Sequence, residues 1–117
     1  MRGQAAFLAG QSAEEQVARR YIAAGASVAA RRWRSKAGEI DLILREGARV
    51  VFVEVKFSET LSRAAEMLGP RQIARLRAAA QVFVAGEPLG QDTEMRFDVA
   101  LVDARGHVEV IENALGI

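Results

Sequence analysis

Hydrophobic positions in this chain repeat with two different periods, and the changes of period divide it into elements. Ala13, Val17, Ala18, Tyr21 and Ile22 recur at helical spacing, which predicts an amphipathic helix stopped by Gly25. Its start is expected near Ser12, because Ser12 and Glu15 have the spacing of a capping box. Residues 39–57 read as a β-hairpin, with Ile40–Leu44 and Arg49–Phe57 as strands and Arg45–Ala48, containing Gly47, as the turn. A second amphipathic helix is expected from about Pro70 to about Val84. Its buried stripe is Ile73, Leu76, Ala80 and Phe83, and Gly86 and Pro88 end it. A second hairpin follows, Arg96–Val102 and His107–Ile111 around a turn at Asp103–Gly106. Residues 27–34 can supply a further strand, and 58–69 read equally as loop or short helix.

The order α, β, β, (β), α, β, β predicts an α/β fold with a mixed sheet and helices packed on it. A chain of 117 residues with no repeat and no linker fits one domain spanning 1–117. Its composition narrows the chemistry. With no cysteine and a single histidine, His107, disulfides, thiolate nucleophiles and Cys- or His-rich metal sites are excluded. A metal would be held by carboxylates, which points to a hard ion, Mg2+ or Mn2+. No apolar run approaches the roughly 18 residues needed to span a bilayer, and the apolar patch Phe7–Ala9 is too short for a secretory signal. A cytoplasmic protein with no membrane partner is the expectation.

The net charge of +1 says little, but its distribution says more. Arg31, Arg32, Arg34 and Lys36 surround Trp33, and Arg71, Arg75 and Arg77 form a second basic group. The first group reads either as a phosphate-binding surface or as a solvated connection that Trp33 anchors to the core. For Trp33, core is the safer reading; His107, in a turn, reads as a surface residue.

The second strand of the first hairpin is the most informative stretch. Strict alternation puts Val50, Phe52, Glu54 and Lys56 on one face and Val51, Val53, Val55 and Phe57 on the other. An acid and a lysine late in such an apolar strand are costly unless partnered. Asp41 lies on the preceding strand, with Glu39 expected on its side. Two carboxylates brought together raise each other's pKa unless a cation sits between them, and a divalent metal resolves that conflict. Lys56 would then orient or deprotonate a water, or offset charge developing on a phosphate. The metal would act as Lewis acid and hydroxide source. The plainer alternative is a Glu54–Lys56 ion pair with a solvent-facing Asp41. Two further acids matter. Glu15 belongs to the solvent face with Arg19 four residues on, but Glu14 borders the buried stripe and needs a reason to be there. Asp98 shares a strand face with Arg96, and a structural role outweighs metal binding for it.

An Asp followed by a hydrophobic strand bearing E-x-K is the signature of the PD-(D/E)XK nuclease superfamily; here it is Asp41, twelve residues, then Glu54-Val55-Lys56. More closely, the chain resembles the YraN-like family of small bacterial proteins, which are similar to archaeal Holliday-junction resolvases. The likeness covers nearly the whole chain. It rests on Ala13-Glu14, Trp33-Arg34, Gly38-Glu39-Ile40-Asp41-Leu42-Ile43, Val51-Phe52-Val53-Glu54-Val55-Lys56, Arg96-Phe97-Asp98-Val99 and Glu112-Asn113-Ala114. It implies a restriction-endonuclease-like α/β fold, a central mixed β-sheet flanked by helices. It also implies Asp41 and Glu54 as metal ligands, Lys56 as the catalytic lysine, and Glu14 joining the site from the first helix. The chain departs from the family pattern in three places. Phe57 and Ser58 replace a Thr-Arg pair, the loop after them is shortened, and Gln72 stands where a lysine is usual.

Two functions of different class follow. One is a Mg2+- or Mn2+-dependent endonuclease acting on structured or branched DNA. Its metal ligands would be Asp41, Glu54 and Glu39, with Lys56 and Glu14 catalytic. Arg31, Arg32, Arg34, Lys36, Arg71 and Arg75 would hold the nucleic acid. The other is a non-catalytic module that keeps the fold and binds nucleic acid or protein, since fold does not guarantee activity. Cutting two strands of a branch suits a symmetric homodimer, for which the apolar patch at Phe7–Leu8, outside the first helix, is the candidate interface.

Overall fold

The computed structural model describes the backbone of residues 2–62 and 69–115, and the side chains of 13–62 and 69–115. Helix α1 (Arg2–Ala23) leads into β1 (Ser27–Ser35), β2 (Gly38–Glu46) and β3 (Arg49–Phe57). Helix α2 (Pro70–Val84) and a 3-10 turn (Gly90–Asp92) precede β4 (Met95–Val102) and β5 (Val108–Ile111). The optional strand at 27–34 therefore exists as β1. Of the ambiguous segment 58–69, residues 63–68 lie outside the described residues.

The five strands lie side by side in sequence order. Neighbours are antiparallel except β3 and β4, which α2 joins as a parallel crossover pair. Each helix covers one face. Ala13, Val17, Ala18 and Tyr21 of α1 pack on Leu42, Leu44, Val51, Val53, Ala100 and Val102. Leu76, Ala79, Ala80 and Val84 of α2 pack on Ile40, Ile43, Val50, Phe52 and Phe97. Val51 and Val53 thus face α1 while Val50 and Phe52 face α2, as alternation along β3 requires. Trp33 belongs to the α2-side core and meets Phe83 edge-on, with ring centroids 5.5 Å apart. This is the restriction-endonuclease-like α/β architecture, a mixed sheet between two helices. Among the described residues no helix is long and apolar enough to cross a membrane.

Three details correct the sequence expectations. Helix α1 begins at Arg2 and not at Ser12. The preceding residues are mostly good helix formers and offer no stop, and Glu15 bonds Arg31 and Arg19 instead of closing a capping box. The Phe7–Leu8 patch consequently lies within the helix, its side chains outside the described residues. In the first hairpin the ladder runs to Glu46–Arg49, so the turn shrinks to Gly47 and Ala48, with Gly47 at φ +61°. On α2, Ala79 and Val84 are fully buried while Ile73 and Phe83 are half-buried.

Candidate active site

The site forms where the central strands part. The β2–β3 ladder extends from Glu46–Arg49 to Leu42–Val53 and no further. Beyond that pair β2 stays bonded to β1 through Ile40–Trp33 and Glu39–Arg34. On its other side β3 stays bonded to β4 through Glu54–Val99 and Lys56–Leu101. Asp41 fills the fork: its Oδ2 accepts the Val55 N–H at 2.9 Å, where a strand carbonyl would otherwise serve.

The fork coincides with a break in alternation. Ile40 packs toward α2 but Leu42 packs toward α1, although residues two apart on a regular strand share a face. Its neighbour across β1 shows the same slip. Trp33 lies on the α2 side, whereas Arg31 reaches Glu15 on α1. Between them Arg32 adopts φ +46°, a left-handed conformation uncommon outside glycine and asparagine. Asp41 thereby reaches clefts on both sides of the sheet. One, of about 270 Å³, is lined by Gly38, Glu39, Asp41, Glu54, Gln72, Arg75 and Leu76. The other, of about 190 Å³, is lined by Glu14, Glu15, Arg31, Arg32, Asp41 and Leu42.

Within the fork, the half-buried Asp41 carboxyl is paired with the buried Glu54 carboxyl. Burial, with the Asp41 charge next in weight, pushes the Glu54 carboxyl up to about 8. Burial likewise raises Asp41, and raises Glu14 across the sheet with a smaller contribution from Asp41. Lys56 Nζ lies 3.2 Å from Glu54 Oε1 and donates to Gln72 Oε1 at 3.0 Å. Gln72 Nε2 donates to Glu54 Oε1 at 2.5 Å. The expected Asp41, Glu54 and Lys56 thus meet at the fork, while Glu14 lines the cleft on the opposite side of the sheet, which it shares with Asp41.

Glu39 lines the larger cleft but is exposed and lies 3.6 Å from Arg34. Among the described residues no three acidic or histidine side chains are gathered tightly enough to hold a metal ion together. The carboxylate set at the fork is therefore the pair Asp41 and Glu54. The basic residues divide in the same way. Arg31 pairs with Glu15 at 2.7 Å and Arg32 with Glu14 at 3.0 Å, while Lys36, Arg71 and Arg75 are exposed.

Asp98 is structural. It is 2% exposed and accepts from Tyr21 Oη at 2.5 Å, Arg96 Nε at 2.9 Å and the Asn113 N–H at 3.0 Å. His107 is exposed in its turn, with Nδ1 2.8 Å from Asp103. Sequence reasoning missed Gln72 as a member of the site, having read it only as a lost cation. The available signal was its position two residues after the helix-starting Pro70, on a helix that must cross beside β3.

Comparison with known proteins places these residues in a wider group. Residues 13–102 match the uncharacterised protein family UPF0102. A UPF0102 protein of Cereibacter sphaeroides is 60% identical over 114 residues, 97% of each chain. One from Ruegeria pomeroyi is 57% identical over 115 residues, 98% of this chain and 94% of that one. One from Dinoroseobacter shibae is 44% identical over 112 residues, 96% of this chain and 84% of that one.

Proposed function

The chain belongs to UPF0102, the YraN-like family, and we propose that it is a metal-dependent endonuclease hydrolysing phosphodiester bonds of structured or branched DNA. The observation that carries this reading is the Asp41–Glu54 pair, a half-buried and a buried carboxyl group with few hydrogen-bond donors, beside a half-buried lysine at an open fork. Its donors are all oxygens, the set a hard divalent ion takes, and two carboxylates leave coordination positions for water and a phosphate oxygen. Asp41 and Glu54 would hold Mg2+ or Mn2+, which when bound supplies Lewis acidity toward phosphate and lowers the pKa of water.

The chain's own residues do the rest. The Val55 N–H fixes the Asp41 carboxylate in the fork. Lys56, held at Glu54 and Gln72, presents a positive charge where negative charge grows on the phosphate. Glu14 shares the α1-side cleft with Asp41 and would be placed there to take a proton. Lys36, Arg71 and Arg75 are exposed cations that suit a nucleic-acid backbone.

The intramolecular pairing of Arg31 and Arg32 favours a second reading, a nucleic-acid- or protein-binding module that has kept the fold. One experiment separates the two. Mg2+ and Mn2+ are titrated calorimetrically into the wild type and Asp41→Asn, and both are then incubated with linear, single-stranded and branched DNAs. The nuclease reading expects metal binding and metal-dependent cutting, both lost in Asp41→Asn. DNA binding without metal binding or cutting, unchanged or tighter in Asp41→Asn, would establish the module instead.

A further inference from the structure

Gln72 stands in the first turn of α2, half-buried, and touches both Lys56 and Glu54 on that side of the fork. Lys56 Nζ, Glu54 Oε1 and the Gln72 amide close a triangle with sides of 3.2, 3.0 and 2.5 Å. Lysine is a point charge on a flexible four-carbon stem, so a single acceptor leaves its ammonium many positions. Two acceptors on different elements, β3 and α2, leave far fewer. The first turns of α2 are in turn seated against β2. A Cβ built at Gly38 would lie 3.5 Å from the Cβ and carbonyl oxygen of Arg75, and Gly38 itself has φ +153°. That distance is ordinary contact, so it is the backbone conformation that calls for glycine, at the point where β2 meets the helix carrying Gln72.

The choice of an amide has a chemical reason. Its oxygen accepts from an ammonium and its nitrogen donates to a carboxyl group, so it serves both partners. A lysine at this position would donate to Glu54 but repel Lys56, and a glutamate would accept from Lys56 but repel Glu54. The amide also adds no charge beside the Asp41–Glu54 pair. We infer that Gln72 is a positioning residue: its neutral side chain fixes the Lys56 ammonium beside Glu54 while leaving the carboxyl pair's attraction for a divalent cation undiminished. The cation half of this inference rests on the metal-dependent reading of the site; the bridge does not.

The test uses the full chain and two readouts. Hydrogen exchange at the Lys56 ammonium is followed by nitrogen-15 NMR in metal-free wild type, Gln72→Met, which keeps the volume and loses the amide, and Gln72→Lys. Magnesium affinity of the same three proteins is measured by calorimetry. Lys56 exchange should be at least about tenfold faster in both variants, the loss of one charged hydrogen bond being worth about 1.5–3 kcal/mol. Magnesium affinity should fall about tenfold in Gln72→Lys and stay within about threefold in Gln72→Met, because only the former adds a competing charge at close range. Unchanged Lys56 exchange in the variants would overturn the bridge. Wild-type magnesium affinity in Gln72→Lys would overturn the charge argument. A wild type that binds no magnesium, yet loses Lys56 order in both variants, would uphold the bridge and sink the metal-dependent reading alone.

Discussion

Two acid clusters sit in one sheet, one at the buried Asp98 and one at Asp41 and Glu54, and differ in almost every respect that matters. Asp98 on β4 has a complete set of donors: the Tyr21 hydroxyl, two nitrogens of Arg96 and the Asn113 amide. Arg96 is shared in turn with Glu46 at 3.0 Å, and its guanidinium is held firmly charged, first by the hydrogen bond to Asp98. Asp41 and Glu54 have one backbone amide, one lysine and one glutamine between them, and burial drives both carboxyls upward. Burial alone therefore does not mark a functional acid. The balance of donors against charge does, and it separates a cross-sheet brace from a carboxyl pair left short of donors.

The sharpest way to break this distinction is to remove charge from each cluster. Asp98→Ala leaves the largely buried Arg96 without its main partner and should destabilise the fold by about 3–5 kcal/mol, as one-sided removal from a buried ion pair does. Asp41→Asn keeps an acceptor for the Val55 N–H while removing the Asp41 charge that helps push the Glu54 carboxyl up. It should be neutral or stabilising by up to about 1 kcal/mol in metal-free buffer. Denaturant unfolding of the two variants checks both. A large loss in Asp41→Asn would make the fork a structural ion cluster like the one at Asp98.

The pH dependence of stability gives the next largest effect. Glu54 and Asp41 are raised in the folded chain, chiefly by burial, so the native state binds more protons than the unfolded state between their ordinary range and about 8. Their contribution is fully present at low pH and is lost as pH rises through that window, by the linkage between proton binding and stability. The fall between pH 5 and 8 should be on the order of 1–3 kcal/mol, each tenfold displacement of a proton equilibrium being worth about 1.4 kcal/mol. Glu54→Gln should flatten it, and saturating Mg2+ should reverse it by binding the ionised pair. Thermal unfolding across pH reads all three. A stability that rises steadily from pH 5 to 8 without metal would contradict the conflict inferred at the fork.

Most of the scaffold was legible in the sequence because it depends on apolar periodicity. The faces of β3, the extent of α2 and the hairpin of β4 and β5 all follow from which positions are apolar. The pairing of Asp41 with the E-x-K strand was legible too, since hairpin geometry joins them. What could not be read were features that break a period or join distant residues. Strict alternation would place Ile40 and Leu42 on one face, and no residue type at 32 or 41 announces the slip that separates them. The start of α1 was misplaced because a sound capping pattern at Ser12 competes with good helix formers before it. Arg31 and Arg32 resembled a free basic patch because their partners, Glu15 and Glu14, lie on another element. Gln72 looked like an absence of charge, and its two hydrogen bonds exist only once α2 packs beside β3.

The slip at Arg32 supplies the finest test of the comparison. Left-handed backbone costs a non-glycine residue roughly 1–2 kcal/mol, and such strain gathers at functional sites and not along braces. Arg32 at φ +46° borders the fork, whereas the non-glycine residue in that region near Asp98 is Asn113, for which it is cheap. Arg32→Asn gives up the half-exposed pair with Glu14, worth up to about 1 kcal/mol, and relieves a similar amount of strain. Its net effect should lie within about 0.5 kcal/mol of zero. Arg32→Ala loses the pair and keeps the strain, so it should be less stable than Arg32→Asn by about 1 kcal/mol. Equilibrium unfolding of the two variants side by side decides it. Equal stabilities would mean that the backbone at 32 relaxes once the arginine is gone, and that the slip is held by the Glu14 pair. The predicted gap would mean instead that the fork between β2 and β3 is built into the backbone and does not depend on the arginine.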